Sequence, residues 1–235
     1  MERRDFIKAC AATCALGTPE ALLAQQDLKP RFYARTQLMS DRGRPLRVAE
    51  LVVERNYIFH YPFEATPCFL LKLARPTQRD VKLATGNGSA YSWPGGVGPE
   101  RTIVGFAAIC AHQMTYPTQQ ISFISYRQKA GSATSSRPNV IHCCSEHSQY
   151  DPASGARVVA GPAPQPLAAI LLEYDAKVDG LAAVGTLGGE MFDAFFAKFE
   201  FKLALESNGV SPRRPVAERT VVKDLQDYCK QQVRC

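Results

Sequence analysis

Two short segments of this 235-residue chain each pair a thiol with an imidazole. The first is Cys110-Ala111-His112 and the second Cys144-Ser145-Glu146-His147, both in the order Cys then His. Two thiolates and two neutral imidazoles suit either of two centres. A [2Fe–2S] cluster can take the sulfurs on one iron and the nitrogens on the other. A zinc ion can take all four in a tetrahedron. The residues downstream separate the two. Tyr150-Asp151-Pro152-Ala153-Ser154-Gly155 reads as a turn and Gly161-Pro162-Ala163-Pro164-Gln165-Pro166-Leu167 as a rigid, proline-dense loop. A small zinc knuckle has no use for such a loop.

From about Ile103 to Gly185 the chain resembles the Rieske iron–sulfur family, whose pattern is C-x-H, a spacer, C-x-x-H, an aromatic-Asp turn and a G-P-A-P-x-P-L loop. The resemblance implies a mainly β fold, antiparallel sheets with a small cluster-binding subdomain; it does not cover the C-terminal region, where the residue spacing predicts an α-helical extension. Two loops, 110–115 and 143–151, would carry the ligands, and the proline loop 161–167 would cover a third side. Carried over by motif position, Cys110 and Cys144 bind the inner iron of a [2Fe–2S] cluster, and His112 and His147 bind the outer one. Ser148 and Tyr150 are the implied hydrogen-bond donors to cluster sulfurs, with Pro162 beside them. Imidazoles in place of two thiolates make such a cluster less negative and place its potential at roughly −150 to +300 mV.

The chain departs from the family pattern in the loops. Quinol-oxidising members carry one extra Cys in each loop, joined as a disulfide; Thr115 and Glu146 stand at those positions here. The spacer between the ligand pairs is long and includes the polar stretch Gln128–Pro138. Ser148 follows the last histidine where a glycine is common, and the run to Tyr150 is one residue short. Glu146 brings a carboxylate to the site, which favours the oxidised form and a lower potential. Cys143 is adjacent but has no partner in the first loop for such a disulfide, and a register using Cys143 with Glu146 is set aside because it offers no histidine. His142 reads as a loop or packing residue, and His60 as part of an aromatic group.

These motifs need a β framework to bring them together. Arg47–Arg55, Cys68–Leu73, Ile103–Ala108 and Ile121–Tyr126 are rich in Val, Ile and Phe and predict strands. Asp179-Gly180 between Ala168–Tyr174 and Leu181–Val184 predicts a hairpin. Phe192, Phe195, Phe196, Phe199 and Leu203 repeat at helical spacing, and Val221, Val222, Leu225 and Tyr228 suggest a second short helix. Cys229 and Cys235 are close enough in sequence to bridge. The chain thus divides into residues 1–24, a linker at 25–44, the β domain at 45–185 and a helical extension at 186–235.

The N-terminus, Arg3-Arg4-Asp5-Phe6-Ile7-Lys8 followed by the weakly hydrophobic Ala9–Thr18, resembles a twin-arginine export signal. It is far shorter than the ~20 residues that span a bilayer. The expected location is the periplasm, free or peripherally bound to the outer face of the inner membrane. The formal charge of +6 is scattered, with no basic run to argue for nucleic acid.

The expected role is an electron-transfer protein or subunit of a periplasmic oxidoreductase. It would take single electrons from a catalytic partner subunit and pass them to a c-type cytochrome. A Rieske subunit of a quinol-oxidising cytochrome bc complex and a structural zinc module are the alternatives. An oxygenase would need two further histidines beside a carboxylate, and only His60 and His142 remain, some eighty residues apart.

Overall fold

The computed structural model describes residues 27–129, 137–206 and 209–235. The twin-arginine segment, with Cys10 and Cys14, and residues 130–136 of the polar spacer lie outside them. The fold is mainly β. Its strands are β1 (Arg31–Met39), β2 (Tyr57–His60), β3 (Pro67–Lys72), β4 (Val81–Ala84), β5 (Ala90–Trp93), β6 (Ile103–Ala107), β7 (Ile121–Ser122) and β8 (Ile124–Arg127), then β9 (Val140–Cys143), β10 (Ser148–Asp151), β11 (Arg157–Ala160), β12 (Ala169–Asp175) and β13 (Gly180–Leu187). Helix α1 (Phe192–Glu206) follows, then β14 (Arg219–Val221), β15 (Lys223–Asp224), the single turn α2 (Leu225–Tyr228) and β16 (Gln231–Gln232).

An eight-stranded sheet in the order β14-β1-β13-β12-β6-β3-β2-β15 forms the body, and a four-stranded sheet, β11-β10-β9-β8, forms the smaller part. Both faces of the large sheet are covered. In β3 the side chains alternate between two cores: Phe69 and Leu71 enter one, Cys68 and Leu70 the other. That is why Pro67-Cys68-Phe69-Leu70-Leu71 reads as one unbroken apolar run rather than an alternating strand.

Three expectations are corrected here. Residues 25–44 are not a linker throughout, since Arg31–Met39 forms β1 and pairs with β13 and β14. Phe32 is exposed and Thr36 buried, so the strand leaves little hydrophobic pattern to read. Arg47–Arg55 is no strand: it holds one 3-10 turn, Val48–Glu50. The C-terminal extension is helical only in part, because β14, β15 and β16 return to the sheets.

The hairpin at Asp179-Gly180 forms as expected, joining β12 to β13. The Phe stripe does form α1, but it is not free for a partner. Phe192, Phe195, Phe196 and Leu203 are buried with Ala107, Ile109 and Tyr116, which flank the first Cys-His loop. Lys198 Nζ also donates to Gln113 O at 2.9 Å. The helix therefore backs that loop. Among the described residues no helix is long and apolar enough to cross a membrane.

Candidate functional site

The site is made by two loops of different origin. The first leaves β6 at Ala107 and runs through Cys110 to Thr115. It is closed by Cys110 N–H donating to Thr115 O (2.8 Å) and Met114 N–H donating to Cys110 O (2.9 Å). The second is the tip of the β9–β10 hairpin, residues 144–147, where Cys143 stands directly opposite Ser148 and Ile141 opposite Tyr150.

Strand geometry decides which cysteine faces the first loop. Successive side chains in extended chain point to opposite faces. Cys143 shares a face with Ile141, and both lie in the core with Ile124, Tyr126, Tyr150 and Cys110. His142 and Cys144 are on the other face. The expectation that Cys144 stands against Cys110 is therefore corrected: Cys143 does. Cys144 instead forms a disulfide with Cys235. Cys229, which stands close enough in sequence to bridge Cys235, is a free buried thiol, as are Cys68, Cys110 and Cys143.

The two loops present their thiols alike. Backbone N–H groups of His112 and Gln113, two and three residues on, donate to Cys110 Sγ. Those of Ser145 and Glu146, again two and three residues on, donate to Cys143 Sγ. The Tyr150 hydroxyl accepts from Ala111 N–H at 3.0 Å. It also hydrogen-bonds with Cys110 Sγ, 3.2 Å away, and donates to that sulfur when it is ionised. The Cys143 thiol is the largest influence on Cys110 and, with Tyr150 and the N–H groups, outweighs burial to lower its pKa to about 6. The same contact, with burial, raises Cys143, since two adjacent thiols in the interior do not both ionise without a cation between them. Burial and the neighbouring thiol raise Tyr150, which stays protonated as a donor.

At the outer edge of this pair, His112 Nδ1 lies 3.7 Å from Glu146 Oε2. Glu146 thus occupies the fourth corner, and the register set aside from the sequence is the one the hairpin adopts. His147, expected at that corner, lies at φ 58 in the hairpin tip with its ring 5.9 Å from that of His142. At this site two buried polar atoms have no hydrogen-bond partner among the described residues: His112 Nδ1, and Ser148 Oγ on the same face as Cys143. Such atoms are costly unless something satisfies them.

The donor set suits a [2Fe–2S] cluster with one change from the family's set. Two thiols in contact suit the inner iron, His112 Nδ1 and a Glu146 oxygen suit the outer one, and Ser148 Oγ is left to donate to sulfur. Sequence reasoning set aside Cys143 and Glu146. The signal for both was the fixed distance back from Tyr150, which the one-residue-short run had flagged.

The proline loop packs on the hairpin as expected. Gly161 has φ +85, and a Cβ there would lie 2.5 Å from His147 O and Ser148 Cα. Gln165 ties the loop at two points, accepting from Gly86 N–H at 2.7 Å and donating to Gly189 O at 2.9 Å. Pro162 is exposed at the loop's start, and Ala163 is the residue that enters the core. Gly161→Ala is expected to cost about 1–2 kcal/mol for the left-handed backbone alone, with more for the clash, read as a lowered thermal midpoint.

The Tyr150–Gly155 turn is capped by Asp151, which accepts from Ala153 N–H at 2.9 Å. His60, outside the site, pairs with the Tyr228 hydroxyl at 3.1 Å in an aromatic group.

No protein-family model matches the chain. Among solved structures, the soluble domain of the Rieske protein II (soxF) from Sulfolobus acidocaldarius is similar to it, with 28% sequence identity, covering 66% of this chain and 78% of that one at a TM-score of 0.46.

Proposed function

We propose that this chain is a one-electron carrier holding a Rieske-like [2Fe–2S] cluster through Cys110, Cys143, His112 and Glu146. The observation that carries the reading is the matched pair of thiols, each ringed by N–H donors from its own loop and flanked by the orphaned His112 Nδ1 and Ser148 Oγ. When bound, such a cluster supplies reversible one-electron redox chemistry.

The protein's own part is to bury the two sulfurs, fix them with backbone N–H groups and keep Tyr150 and Ser148 as donors toward sulfur. His112 and Glu146, both partly exposed, form the edge at which a redox partner would approach. As a subunit of an exported oxidoreductase, the chain would receive electrons from a catalytic partner and pass them to a c-type cytochrome in the periplasm. The twin-arginine pattern at Arg3-Arg4 supports that location, because it exports cargo already folded around its cofactor.

The test is anaerobic purification with iron and acid-labile sulfide analysis, followed by pulsed electron paramagnetic resonance of the reduced protein. The expected result is two irons, two sulfides and coupling to one imidazole nitrogen. Coupling to two would restore the ligand set Cys144 and His147, and absence of iron and sulfide would end the reading.

Tyr150→Phe removes one donor to Cys110 Sγ, and hydrogen bonds to cluster sulfurs raise the potential by favouring the more negative reduced form. If that bond differs by about 1 kcal/mol between the two oxidation states, the midpoint falls by about 40 mV for one electron. Potentiometric titration of the variant beside the parent reads this directly.

A further inference from the structure

The face of β9 opposite Cys143 carries a second set of donors. His142 is fully buried, and Cys235 Sγ lies 3.6 Å from both of its ring nitrogens. His147 stands beside it. One ligand atom from each of His142, His147 and Cys235 lies within 4.8 Å of the others. The fourth member is Cys144, joined to Cys235 by the disulfide. The four residues supply two sulfurs and two imidazoles, and none of them belongs to the interior set of Cys110, Cys143, His112 and Glu146.

We propose that the Cys144–Cys235 disulfide and a zinc-class divalent cation are alternative states of one site, with His142, Cys144, His147 and Cys235 as the four ligands of the reduced form. A tetrahedral zinc with Zn–S about 2.3 Å and Zn–N about 2.0 Å sets its donor atoms roughly 3.3–3.8 Å apart. For His142, His147 and Cys235 the present spacing of up to 4.8 Å needs only a small closure, while Cys144 must part from Cys235 and turn toward the two imidazoles. The parts that must move are local. Cys144 and His147 bound a hairpin tip, and Cys235 follows the two-residue strand β16, which pairs in parallel with β7.

Charge favours the reduced, metal-bound form. Arg127 Nη2 donates to Cys144 Sγ at 3.2 Å and to Val233 O at 2.6 Å. A guanidinium at that distance stabilises a thiolate. Two thiolates and a dication then give a neutral centre, so Arg127 meets no added positive charge.

The exchange balances. A dithiol reduces the disulfide, giving two electrons and two protons to the cysteines and becoming a disulfide itself. The cation then displaces the two thiol protons to solvent. Reoxidation, in which an external disulfide takes the two electrons and two protons and becomes a dithiol, requires the cation to leave, because both sulfurs are needed for the S–S bond. Either state ties the C-terminal strand to the hairpin tip, but only the disulfide resists a chelator.

The experiment uses the full chain, untreated or reduced with a phosphine that is then removed under argon. Each form is titrated with Zn²⁺, and bound zinc is counted apart from iron by elemental analysis and native mass spectrometry. Co²⁺ provides a spectroscopic stand-in.

The reduced chain is expected to take up one equivalent of zinc and, with cobalt, to show thiolate-to-cobalt charge transfer and tetrahedral ligand-field bands. The untreated chain takes up none. Cys235→Ser and the exposed His147→Ala each lose the equivalent, while a Cys110→Ser/Cys143→Ser double variant keeps it. Cys235→Ser also lacks the disulfide, so its failure to bind reports the missing donor and not oxidation. The proposal is overturned if the reduced parent binds no zinc, if the untreated chain binds equally, or if binding survives Cys235→Ser and disappears with Cys110 and Cys143.

Discussion

Replacing Cys143 with serine is expected to abolish iron and acid-labile sulfide binding, whereas Cys144→Ser leaves both in place. The two residues are neighbours in sequence, and the contrast between them is a matter of which way each side chain points. Cys143 lies in the core against Cys110, with N–H groups of Ser145 and Glu146 directed at its sulfur. Removing it leaves the interior with one thiolate where two are needed. Serine's hydroxyl is a harder and far less acidic ligand than a thiolate. Cys144 contributes a bond to Cys235 on the opposite face, so its loss frees the C-terminal strand and spares the cluster. Visible absorption, iron and sulfide on the two variants, purified side by side without air, separate the outcomes. Loss of the cluster in Cys144→Ser with retention in Cys143→Ser would reverse the assignment.

The second large effect concerns the fourth corner. Glu146→His puts a neutral imidazole where a carboxylate faces His112. Exchanging two anionic thiolates for two imidazoles takes a [2Fe–2S] centre from about −400 mV to between roughly −150 and +300 mV. Removing one negative charge is a step of the same kind, and the midpoint is expected to rise by on the order of 100 mV or more. The sign follows from charge: a carboxylate stabilises the oxidised, less negative form, and its removal makes reduction easier. The same variant should show two coupled imidazole nitrogens where the parent shows one. An unchanged midpoint in Glu146→His, combined with loss of the cluster in His147→Asn, would place the fourth ligand at His147 after all.

Much of the site was legible as composition and order. Cys110 and His112, the Tyr150–Gly155 turn and the proline loop stand where the residue types placed them, because turns and rigid loops are written locally by Pro, Gly, Asp and Ser. The stripe from Phe192 to Leu203 declared its helix through period alone. What covers that stripe was not written there. Ile109 and Tyr116 flank the first donor loop, far away in sequence, and their packing makes the stripe a support for the site. β1 was missed for the opposite reason: its outer residues are exposed, and its place in the sheet comes from pairing with β13 and β14.

The sequence alone determined that two Cys-bearing loops, an aromatic-Asp turn and a proline loop sit on a mainly β frame, since each is specified by residues close together in the chain. Only the tertiary structure put Cys143, not Cys144, on the face of Cys110, and Glu146 beside His112. A strand of period two tells that neighbours face opposite ways but not which way either faces. That phase is set by the pairing of Ile141 with Tyr150 and Cys143 with Ser148, and by Cys235, which arrives on the other face from ninety-one residues further on.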